Sequence, residues 1–93
     1  MPSLTSVRDL LLPAVHAAEA KIHPTKRIEL DLRCDFIKER LVLKAYSFIN
    51  NRFAESYINP AADLEPMIEE YKSGLGRVIA EVQRKKTTND TLE

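Results

Sequence analysis

Polar residues recur at a helical interval through the middle of the chain. At 100° of rotation per residue, Glu29, Arg33, Arg40, Lys44, Ser47 and Asn51 share one narrow sector. Leu30, Cys34, Ile37, Leu41, Ala45 and Phe48 form an apolar stripe beside it. A second stripe, Val42, Tyr46, Ile49, Phe53 and Tyr57, begins halfway along. The first part of this stretch, Arg27 to Phe36, can also be read as a strand. There Ile28, Leu30, Leu32, Cys34 and Phe36 alternate with charged residues, as the positions of a half-buried strand do.

The polar sector nevertheless crosses the alternating segment without a change of phase. Leu, Glu, Asp and Arg are poor strand formers, and no other segment alternates convincingly enough to pair with it. A strand could survive only as a ribbon shared between two copies of the chain, which requires a tight turn soon afterwards. No break occurs before Asn59-Pro60. The pattern predicts one helix from about Lys26 to Ile58, on the order of 50 Å long, with Thr25 as N-cap and Pro60 as terminator.

Two further helices flank it. In "SLTSVRDLLLPAVHAAEAKI", Leu4, Val7, Leu11, Val15, Ala18 and Ile22 lie along one side. Ser3 or Thr5 can cap this helix, and Pro13 should kink or divide it near Leu10. After Asn59, Asp63 is a candidate N-cap and Pro66 sits in the first turn. Met67 or Ile68, Tyr71, Leu75, Val78 and Val82 then supply an apolar face, with Ile79 beside it. Gly74 and Gly76 each cost such a helix about 1 kcal/mol relative to alanine.

The expected fold is therefore all-α, a three-helix antiparallel bundle with a long central helix. Residues 1–86 would form one helical domain and 87–93 a flexible polar tail. Two partners of about 20 residues cannot cover so long an axis. Apolar surface on the central helix should stay exposed, with Val42, Tyr46, Ile49, Phe53 and Tyr57 as core or interface residues and a homodimer as the expected assembly.

Composition narrows the functional classes. Fourteen basic and fourteen acidic residues cancel, so no global field draws the chain to nucleic acid or anionic lipid. The apolar runs are too short to span a bilayer, and Arg8 and Asp9 interrupt the one segment resembling a signal peptide. The single Cys34 cannot form an internal disulfide, and a cytoplasmic location is expected. No repeat is detected.

Candidate chemistry is sparse. His16, Glu19 and His23 have spacings that could present two imidazoles and a carboxylate to zinc, although solvated surface residues explain them more simply. Asp31, Asp35 and Glu39 form an acidic row at helical spacing. No nucleophile–base pair, phosphate loop or dinucleotide fingerprint is present, so neither catalysis nor a cofactor is expected. Arg77, Arg84, Lys85 and Lys86 form the only basic cluster, which supplies an alternative reading as a nucleic-acid-binding regulator. The favoured reading is a non-catalytic interaction or scaffold protein whose partner is another protein or a second copy of itself.

Overall fold

The computed structural model describes residues 3–84. The elements run α1 (Leu4–Lys26), β1 (Ile28–Asp35), β2 (Arg40–Ser47), β3 (Arg52–Ile58) and α2 (Leu64–Gln83). The long helix predicted over 26–58 does not exist. Its place is taken by an antiparallel sheet in the order β1-β2-β3, so the fold is α+β and not an all-α three-helix bundle. The polar tail predicted at 87–93 lies outside the described residues.

The reason lies in the arithmetic of spacing. Residues four apart stay within about 40° on a helix, and they also lie on the same side of a strand. Most of the intervals that suggested a helix were fours and therefore could not distinguish the two. Residues two apart can. Ile28, Leu30 and Leu32 are all buried, as are Leu41, Leu43 and Ala45. Val42 is buried on the opposite side of β2, which makes this central strand apolar on both sides and masks its alternation.

Register places Ile28 opposite Ser47, Leu32 opposite Leu43 and Cys34 opposite Leu41. Leu41 in turn faces Ile58, Leu43 faces Ser56 and Ala45 faces Ala54. These residues make one side of the sheet. Both helices pack on it, α1 through Val7, Leu11 and Val15, and α2 through Met67, Tyr71, Val78 and Val82. Cys34 is a partly buried member of this packing.

The two hairpin turns repeat one pattern, "DFIKER" at Asp35–Arg40 and "SFINNR" at Ser47–Arg52. In each, the first side chain accepts the backbone N–H three residues on: Asp35 from Lys38 at 3.2 Å, Ser47 from Asn50 at 3.0 Å. Each also ends in a left-handed residue, Glu39 or Asn51, both at φ 53°. Phe-Ile occupies the same place in both and is exposed. This short repeat escapes notice as long as the segment is read as helix.

Helix α1 continues through Pro13 and Pro24, so the expected division near Leu10 does not occur. An interior proline costs about 3 kcal/mol. Burial of Val7, Leu11 and Val15 contributes about 1.5–3 kcal/mol each, which outweighs it. Ser3 is the N-cap and accepts Ser6 N–H at 3.1 Å. The helix ends where Arg27 turns left-handed (φ 54°), its N–H on His23 O, and β1 begins at the next residue. Thr25 therefore lies inside a last turn instead of capping a new helix.

Tyr71 is 5% exposed, and burial raises its phenol pKa above the ordinary value of 10.0. Above that pH the unfolded chain loses this proton while the folded chain keeps it, so stability falls as pH rises toward the folded value. Urea unfolding of Tyr71→Phe should show a shallower alkaline loss than the parent protein. Identical pH profiles would show that this phenol does not carry the loss.

Candidate interaction face

The side of the sheet opposite the helices is built from Glu29, Asp31, Arg33 and Asp35 of β1, Arg40, Val42, Lys44 and Tyr46 of β2, and Phe53, Glu55 and Tyr57 of β3. The register sets Tyr46 beside Phe53, Val42 beside Tyr57 and Lys44 between Asp31 and Glu55. No helix covers it. Phe53 is 55% exposed and Tyr57 38%, while Val42 is only 8% exposed.

Each cation on this face is paired with a carboxylate. Arg33 Nε lies 2.6 Å from Asp31 Oδ2, Arg40 Nε lies 3.6 Å from Asp35 Oδ2, and Lys44 Nζ lies 3.7 Å from Glu55 Oε2. Arg40 stacks on the Tyr57 ring, 3.7 Å from its centroid, and Lys44 sits 5.7 Å from the Phe53 centroid. Tyr57 OH donates to Glu55 at 3.1 Å, and Tyr46 OH donates to Asn51. A shallow depression of ≈ 360 Å³ is bordered by Glu29, Asp31, Lys44, Tyr46 and Phe53. With each cation opposed by a carboxylate, the face offers no uniform positive field for a phosphate backbone.

Four of the five residues expected as core or interface, Val42, Tyr46, Phe53 and Tyr57, meet on this face. They do so because β2 and β3 fold back on one another, not because they form a helical stripe. Ile49 sits apart, 65% exposed in the β2–β3 turn beside Phe48, whose ring packs edge-on against Tyr46.

The three residues weighed as a zinc candidate have another use. Glu19 accepts Leu30 N–H at 2.8 Å, and His23 Nδ1 donates to Ile28 O at 3.0 Å. Asp31 accepts Leu32 N–H at 2.9 Å. These backbone groups lie on the outer edge of β1, so α1 lends side chains to cap a strand edge that would otherwise be open. His16 is exposed and takes no part. Among the described residues no group of three or more His, Cys, Asp or Glu could hold a metal ion.

The acidic row is dispersed as well. Asp31 and Asp35 pair with Arg33 and Arg40, and Glu39 occupies a turn. In the basic cluster, Arg77 donates to Ser56 and Arg84 pairs with Glu81 at 2.9 Å. Lys85 and Lys86 lie outside the described residues. The roles sequence reasoning missed are those of Arg40, Lys44 and Glu55 as the charged frame of the aromatic face, and those of Glu19 and His23 as edge caps. The alternation of Arg27–Phe36 was the one signal that pointed to them.

No helix among the described residues is long and apolar enough to cross a membrane. Compared with known families, curated proteins and solved structures, the chain matches none.

Proposed function

We propose that this chain is a non-catalytic protein-interaction module whose contact surface is the uncovered side of the sheet, centred on Tyr46, Phe53 and Tyr57. The carrying observation is the exposure of Phe53 and Tyr57 beside Tyr46 on a face that no helix among the described residues covers. Aromatic residues with partly shielded cations are the groups that dominate binding energy at protein interfaces. The polar groups of the face pair with one another instead of converging on a pocket, which supports binding over catalysis. A cytoplasmic location belongs to the same reading, with Cys34 as a lone thiol.

A photo-crosslinking phenylalanine analogue at position 53, activated in the native cell, should give protein adducts. The same analogue at Ser73, exposed on α2 on the opposite side of the molecule, should give few. Equal labelling from both positions, or adducts made of nucleic acid, would refute the proposal.

A further inference from the structure

The two edges of the sheet are finished differently. Phe48 N–H donates to Arg27 O, which fixes the hydrogen-bonding phase of the β1–β2 ladder. In antiparallel strands successive residues direct their backbone groups to alternate sides. Arg40, Val42, Lys44 and Tyr46 therefore bond to β1, and Leu41, Leu43, Ala45 and Ser47 bond to β3. On β3 the partners are Arg52, Ala54, Ser56 and Ile58, which leaves the backbone groups of Phe53, Glu55 and Tyr57 directed outward.

On β1 one outward group of each of three successive outward residues is met: Ile28 O by His23, Leu30 N–H by Glu19 and Leu32 N–H by Asp31. On β3 the capping stops just past the strand, where Glu70 accepts Asn59 N–H at 3.1 Å. Among the described residues nothing meets the outward groups of Phe53, Glu55 and Tyr57, and all three residues are exposed. An exposed strand edge of this kind is a template for another strand.

The open segment is symmetric about its centre, with an aromatic residue, Glu55, and a second aromatic residue at alternate positions. We infer that the occupant of this edge is a second copy of the chain, with β3 paired antiparallel to the partner's β3 about a two-fold axis at Glu55. In that register every open position meets an open position of the copy. Phe53 lies opposite Tyr57 of the partner subunit, so Tyr46, Phe53 and the partner's Tyr57 and Val42 form one apolar row across the joint. Small residues, Ala54 and Ser56, meet on the helix side.

Centring the pair on Ala54 instead sets Phe53 against a glutamate, and centring it on Ser56 draws in Asn59, whose N–H is already held. The symmetric register has one cost, because the two Glu55 carboxylates lie opposite each other. Like charges so placed weaken a strand pair, and Lys44 at 3.7 Å partly offsets it on each side. This inference rests on the interaction reading and assigns its partner.

Sedimentation from micromolar to millimolar concentration should show a monomer–dimer equilibrium. Amide exchange at Phe53, Glu55 and Tyr57 should slow as dimer forms, while exchange at Leu10, exposed on α1, stays constant. Glu55→Gln removes the facing charges and should tighten Kd roughly two- to fivefold. A chain that stays monomeric at millimolar concentration overturns the inference, as does a dimer whose three edge amides exchange at monomer rates. Either result leaves the photo-crosslinking test of the interaction face standing by itself. Exchange of free Glu55→Gln protein confirms separately that the variant folds.

Discussion

Leu43→Ala is expected to lower the unfolding free energy by about 2–5 kcal/mol, whereas Ile37→Lys should change it by less than about 0.5 kcal/mol. Leu43 is 0% exposed at the middle of the central strand, between Leu32 and Ser56 and beneath the helices. Truncation there removes buried contacts and leaves a cavity lined from several directions, which a central strand cannot readily collapse to fill. Ile37 is 93% exposed at the tip of the first hairpin. A lysine there exchanges apolar surface already in water for polar surface. The pair separates the two readings of this segment, because on a helix Ile37 would lie in the apolar stripe and Leu43 outside both stripes. Urea unfolding of each variant measures the outcome. A large loss for Ile37→Lys with little for Leu43→Ala would contradict the sheet.

What was legible in the sequence follows from which periods are ambiguous. The stripe Leu4, Val7, Leu11, Val15 mixes intervals of three and four, no single strand keeps such positions on one side, and α1 lies where that stripe put it. The Met67, Tyr71, Val78, Val82 pattern located α2 in the same way, with Asp63 at its N-cap position although its side chain makes no capping bond. The middle of the chain offered mostly fours, which helix and strand share, and the threes of its apolar stripes, Cys34 to Ile37, Ala45 to Phe48 and Tyr46 to Ile49, each led out of a strand into a turn. Ser47 shows the consequence: a polar residue placed on a solvated helix sector is 1% exposed, because its hydroxyl is occupied by Asn50 N–H within a turn.

The turns were hidden for a related reason. Neither contains glycine or proline, and one puts Glu39 in the left-handed region, where glutamate is uncommon. Their signal was the repeated Phe-Ile pair followed by arginine, twelve residues apart. The residues that share the uncovered side of the sheet were grouped by a wrong route that preserved neighbours. Positions such as Val42, Tyr46, Phe53 and Tyr57, chosen as a stripe, share one face when the chain folds back between 46 and 53. The edge caps Glu19 and His23 could not be found without β1, since their partners are backbone atoms that exist as open groups only on a strand edge.

The two glycines of α2 should respond differently to alanine. A Cβ on Gly76 meets nothing within 4 Å, so Gly76→Ala should stabilise by about 1 kcal/mol through the smaller backbone entropy lost in a helix. A Cβ on Gly74 would stand 2.7 Å from Ser56 Oγ and 3.1 Å from Ser56 Cβ, where α2 packs against β3. The hydroxyl can rotate away only by giving up its bond from Arg77, and the Cβ contact then still requires helix and strand to separate slightly. Overpacking of this kind costs about 1–3 kcal/mol. The helix-propensity gain is common to both sites, so the two variants should differ by about that amount. Ser56→Ala removes the closer atom, and in that background Gly74→Ala should cost measurably less, a coupling that a double-mutant cycle reads directly. Equal effects of alanine at 74 and 76 would show that α2 does not approach β3 through Gly74, and the packing of this helix over the open strand would have to be redrawn.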